Sequence, residues 1–150
     1  MSAQLTRSGR RAARTRGKKW EIKVSLNVSG FAGSPSKITA LLGIEPSRTW
    51  VAGDPVQNTT LKRQDNRWIL DSPVDSAAPL SKHLESILSF ASPAVGRFRM
   101  LPSGAKVQIF CAVYDYERAV VLEFTKDIIT QLAAVGAELG IDYYDMSEEA

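Results

Sequence analysis

Only a few stretches of this chain combine residue types and spacing that carry chemistry. The densest is LLGIEPSRTWVAGD, residues 41 to 54, where an apolar helix end runs into a loop holding Pro46, Arg48, Trp50, Gly53 and Asp54. An arginine beside a tryptophan has the composition of an interface anchor. The connection over 44–57, about 14 residues, exceeds the usual length and would present Arg48, Trp50 and Asp54 to a ligand or partner. The same residues also read as a corner: Trp50 plugs a sheet edge, Gly53 allows a tight turn, and Asp54 accepts from nearby backbone N–H groups. Both readings stand on the residues. With Trp68 in the following strand, Arg48, Trp50, Gly53 and Asp54 form the candidate contact set.

The inventory for catalysis is thin. His83 is the only histidine, placed between Lys82 and Leu84 beside an apolar helix stripe, and reads as a solvated flank. A lone histidine needs a positioned partner before it acts as a base. One histidine and one cysteine exclude multi-histidine metal centres, and no ligand spacing recruits carboxylates, so neither a metal nor a cofactor is expected. No GxSxG elbow offers a serine nucleophile, and Cys111 lies within VQIFCAVY as a buried, unreactive thiol. GSPSK at 33–37 lacks the spacing of a phosphate loop. Paired carboxylates such as Asp142 and Asp145, or Glu148 and Glu149, read as solvated faces or a frayed end. A hydrolase using His83 with a nearby acid stays open as the enzymatic alternative.

Charge is distributed unevenly. The chain carries +3 overall, but of its 19 basic residues seven lie in 1–19, which holds no acid. That leaves 12 basic against 16 acidic residues, a folded part at −4, so the high isoelectric point describes a tail. Arg7, Arg10, Arg11, Arg14, Arg16, Lys18 and Lys19 are suited to sequence-independent contact with nucleic acid. A dispensable solvated tail, a start codon placed too early and residual tag sequence are the competing readings of the same run.

The elements that must position these residues follow from periodicity. Residues 1–19 lack the apolar content for a core and read as a disordered tail, 20–146 as one domain, and 147–150 as a frayed acidic end. A chain of this length buries roughly 70% of its unfolded surface. From Trp20, alternation of Ile22, Val24, Leu26 and Val28 with polar residues predicts a strand. Ser34 and Pro35 start a helix through Ile38, Leu41 and Leu42, which Gly43 stops. Thr59–Lys62 and Arg67–Leu70 read as a hairpin. Leu80, Leu84, Ile87, Leu88 and Ala91 form one helical stripe, and 94–105 is left as loop with at most one helical turn. Val107–Tyr114 and Ala119–Phe124 read as a second hairpin. Thr125 caps a third helix, with Ile128, Ile129, Leu132, Val135 and Leu139 on its apolar face. Gly140 stops it before a last strand, Ile141–Tyr144.

The expected class is α+β, a mixed, mainly antiparallel sheet with three helices, in the order βαββαββαβ. ALLGIE at 40–45 and AELGID at 137–142 share four identities in six, which raises a two-half internal repeat.

The helix ITALLGIEP, the loop's Trp50 and Gly53-Asp54, the Trp68 strand and the closing AAVGAELGIDYYD together resemble the bacterial domain-of-unknown-function family DUF4279, over about residues 20–146. The resemblance implies a small α+β domain of no established activity and supplies no catalytic residues. Immunity or partner-binding roles follow only as fold-level analogy. The expectation is a non-catalytic binding or protein-interaction module, with an unknown protein partner and no membrane partner. The lone cysteine and the lack of an apolar leader point to the cytoplasm.

Overall fold

A computed structural model describes residues 17–148. β1 (Trp20–Ser29) is followed by α1 (Ser36–Leu42), β2 (Arg48–Trp50), β3 (Arg67–Asp71) and α2 (Leu80–Ala91). A 3-10 turn (Ser92–Ala94) and a single helical turn (Val95–Phe98) lead to β4 (Lys106–Asp115), α3 (Lys126–Val135) and β5 (Ala137–Asp145). The five strands form one sheet in the order β2-β3-β1-β4-β5, with only the β4–β5 pair parallel. This is the expected α+β class, a mainly antiparallel mixed sheet with three helices and one extra helical turn.

Strand alternation decides which face the helices cover. Ile22, Val24, Leu26 and Val28 of β1 join Trp68 and Leu70 of β3 and Val107, Ile109, Cys111 and Val113 of β4 in one buried cluster. Ile38 and Leu42 of α1, the α2 stripe, and Ile128, Leu132 and Val135 of α3 complete it. All three helices therefore lie on one side, and the other register of each strand faces away from them.

Two segments read as strands lie outside the sheet, because the edges they needed were taken. β4 pairs along its whole length with β1 on one side and, from Val107 to Asp115, with β5 on the other. No edge is left for Ala119–Phe124, which is irregular. A parallel neighbour needs a crossover, and residues 116–136 supply it. Likewise β3 lies between β1 and β2, so Arg48–Trp50, inside the expected loop, takes the place given to Thr59–Lys62. Residues 51–66 instead fold into an arm, with Pro55 bridged to Lys62 and Gly53 N–H donating to the Arg63 carbonyl at 2.8 Å.

Helix ends also differ. Gly43 closes α1 as expected, in the left-handed conformation (φ 68°), its N–H donating to the Thr39 carbonyl. The start of α1 falls one residue later than expected, at Ser36. Thr125 caps α3, its hydroxyl accepting from Ile128 N–H at 3.2 Å. The end of α3 is Gly136 (φ 77°), four residues before the expected Gly140. Leu139 is therefore a strand residue, and Ile129 is exposed. The repeat does not survive this: ALLGIE spans a helix end, whereas AELGID lies wholly in β5, so matching letters have unlike conformations.

Candidate functional site

The strand registers place Arg48 and Trp50 on the face without helices. Trp50 of β2 lies opposite Arg67 of β3, and Arg67 opposite Ser29 of β1. In the next row Arg48 lies opposite Ile69, then Asn27 and Gln108. Asp71, Ser25 and Phe110 form a third row, and Lys23, Ala112 and Asp142 a fourth. Ile69 is buried yet stands outside the main core cluster, a small apolar floor beneath Arg48. A groove of about 490 Å³ is lined by Lys23, Ser25, Arg48, Asp71, Phe110 and Asp142, among others.

Each candidate has a definite environment. Arg48 is exposed and donates from Nη2 to Asp71 Oδ1 at 3.1 Å, a solvated pair of little energetic weight. Trp50 is half-buried, and the Arg63 guanidinium lies over its ring at 3.7 Å from the centroid, with that of Arg67 at 5.8 Å. Gly53 (φ 92°) and Asp54 build the turn into the arm: the Asp54 carboxylate accepts from Val51 N–H at 3.0 Å, as the corner reading expected. Asn66 fixes the base of the arm by accepting from Ala52 N–H at 2.8 Å and donating to the Phe31 and Gly33 carbonyls. Trp68 is not brought to this face. It is fully buried under the helices, its Nε1 donating to Thr39 Oγ1 at 3.1 Å.

The cluster around Trp50 leaves hydrogen-bonding capacity unused. Trp50 Nε1 and Arg67 Nε are both shut off from solvent, and neither has an acceptor. Arg67 pairs through Nη2 with Asp65 at 2.8 Å, and Arg48 with Asp71, whereas among the described residues no carboxylate pairs with Arg63. Arg63 and Arg67 escaped sequence reasoning because the arm that folds Arg63 back over Trp50 is a non-local arrangement. The polar run before β3 was legible only as a turn.

His83 is a correction. It is 1% exposed, not a solvated flank, because α2 turns it inward with Leu80, Leu84 and Ile87. Its Nδ1 lies 2.8 Å from Ser72 Oγ, and its Nε2 has no partner. Burial lowers its pKa, against the opposing effects of the Asp75 carbonyl and carboxylate. Burial raises the Cys111 thiol to about 12, which keeps it protonated and inert.

The acids near the C-terminal end of the sheet do structural work. Burial raises the pKa of Asp115, but the N–H groups of Ala119, Val120 and Glu117 and the Tyr143 hydroxyl together hold it below the usual value. Asp145 is held at about 2 by the Ser147 hydroxyl and amide, with Arg118 adding to the effect. Among the described residues no group of three or more His, Cys, Asp or Glu side chains is placed to hold a metal, and no helix is long and apolar enough to cross a membrane. Of the seven basic tail residues, Arg7, Arg10, Arg11, Arg14 and Arg16 lie outside the described residues, as does Glu149. Lys18 pairs with Glu21 at 3.1 Å.

A family model described as "Domain of unknown function (DUF4279)" matches residues 20–146. No curated protein and no solved structure matches the chain.

Proposed function

This chain belongs to the DUF4279 family, and on that premise we propose that its folded part is a non-catalytic binding module that docks a protein partner. The contact face is the side of the sheet without helices, at Arg48, Trp50 and the Gly53–Asp54 turn. The observation that carries this reading is the half-buried Trp50 framed by Arg63 and Arg67, with two N–H groups lacking acceptors. Aromatic residues and arginines dominate binding energy at interfaces, and unsatisfied buried donors call for an explanation. An immunity-type protein, which neutralises one cognate protein by covering it, is one form of this role. A cytoplasmic setting suits a module whose lone thiol is buried.

The enzymatic alternative has little support. The Ser72 hydroxyl and His83 ring are in contact, but His83 is almost wholly buried and burial lowers its pKa. A second reading, nucleic-acid contact through residues 7–19, rests on seven cations without an acid. Full-length protein and its Trp50→Ala variant, used as baits in lysate of the source organism with and without nuclease, test both. A single protein retained after nuclease treatment and lost on Trp50→Ala, with the variant still folded and destabilised by no more than the about 1–2 kcal/mol that loss of a half-buried ring implies, supports the docking face. Nuclease-sensitive material held equally by both baits would place function in the tail.

A further inference from the structure

We propose that the Trp50–Arg63–Arg67 cluster is a carboxylate-recognition site, where an acidic segment of a protein partner inserts an Asp or Glu side chain. This rests on the docking reading above and names the chemistry of the partner.

Three features point to an anion. Arg48, Arg63 and Arg67 surround or adjoin Trp50 on one face, and Lys106 continues the row beyond Ser29. Arg48 pairs with Asp71 and Arg67 with Asp65, which leaves Arg63 as the one arginine of the three without a carboxylate partner among the described residues. Trp50 Nε1 and Arg67 Nε are donors buried without an acceptor, on directly opposed residues of the β2–β3 ladder. A buried unsatisfied donor carries a desolvation cost of about 1–3 kcal/mol, which an incoming acceptor would remove.

A carboxylate fits this set better than any neutral group. It is acceptor-only, with two oxygens able to take several N–H donors at once. The Arg63 guanidinium lies over the indole ring, and its N–H fork suits two-point contact with a carboxylate. Trp50 itself and Arg67, whose guanidinium lies 5.8 Å from the same ring, are the sources of the two further donors offered to that anion. Nucleic acid fits less well, because phosphate-backbone binding needs a stripe of several uncompensated cations and the folded part holds 12 basic against 16 acidic residues.

The test uses the full chain, labelled with nitrogen-15, and follows the Trp50 indole and Arg67 Nε–H resonances during titration. The probes are a blocked Glu-rich hexapeptide, its Gln counterpart and a short single-stranded oligonucleotide. Both resonances are expected to shift together and saturably with the Glu peptide alone, with affinity weakened about tenfold or more by Arg63→Ala and partly kept by Arg63→Lys. The proposal is overturned if neither resonance moves at millimolar Glu peptide, if the Gln peptide moves them equally, or if the oligonucleotide moves them at lower concentration. A partner protein lost on Trp50→Ala while the Glu peptide is silent would sink this inference alone. A partner retained in spite of Trp50→Ala would sink the docking reading itself.

Discussion

The His83 imidazole and the Ser72 hydroxyl meet at 2.8 Å beneath the segment that follows β3, where Ser72 Oγ also accepts from Val74 N–H at 3.2 Å. Ser72 N–H donates to the Val24 carbonyl, and Ile22 N–H to the Ser76 carbonyl, so this segment extends the hydrogen bonding of β1 beyond the end of β3. The Ser–His contact ties that segment to α2.

A pH dependence follows. The folded-state pKa of His83 lies below the ordinary 6.5, chiefly through burial, so the unfolded chain takes up its proton more readily. Stability is then retained above about 6.5 and is lost as pH falls below it, until the folded-state value is passed. Urea unfolding at a series of pH values from neutral to mildly acid should show this slope. His83→Gln should flatten it, at a cost near neutral pH of about 1–3 kcal/mol.

Asp115 gives a second dependence at lower pH. Its buried carboxylate accepts from Ala119 N–H at 3.0 Å, Val120 N–H at 3.1 Å and the Tyr143 hydroxyl at 2.8 Å, joining β4, the crossover and β5. Its folded pKa is depressed, so the stability it contributes is present above the ordinary 3.8 and lost as pH falls through the folded value. Asp115→Asn turns an NH₂ group towards those donors and should cost about 1–3 kcal/mol. Thermal melting at pH 7 checks this.

Trp50 and Trp68 should separate site from core. Trp68→Ala removes a fully buried ring and its bond to Thr39, for about 3–5 kcal/mol. Trp50→Ala removes a half-buried ring and a stacked guanidinium, for about 1–2 kcal/mol. Equal losses in chemical denaturation would make Trp50 a structural plug and weaken its claim as a contact residue.

Gly43 and Gly140 occupy equivalent letters in the two similar hexapeptides and should respond differently. Gly43→Ala puts a Cβ at φ 68° and 2.7 Å from Arg97 Nη1, which donates to the Leu42 carbonyl, and should cost about 1–2 kcal/mol. Gly140→Ala meets the Phe110 ring at an ordinary 3.6 Å within β5 and should be neutral or stabilising by about 0.5–1 kcal/mol. Paired melting curves decide; a matching loss at Gly140 would mean that β5 is locally strained there.

The sequence by itself determined what depends on near neighbours along the chain. Alternation in β1 fixed its buried face, the α2 stripe fixed its inward side, Gly43 and Thr125 fixed helix ends, and Asp54 was legible as a turn acceptor. Arg48 and Trp50 were legible as candidates because composition marks them. What only the tertiary structure decided was the occupancy of strand edges and the company each residue keeps. Ala119–Phe124 has strand-forming residues but no free edge on β4, and Gly136 rather than Gly140 ends α3, because β5 needs its full length to pair with β4. His83 is buried because α2 packs that side against the sheet, and Ser72, just past the end of β3, meets its ring there. Trp50 acquired its character from Arg63 and Arg67, which the arm and the β2–β3 register carry to it. Local propensity is written in adjacent residues, whereas edge competition and side-chain pairing are settled only when distant segments compete for the same space.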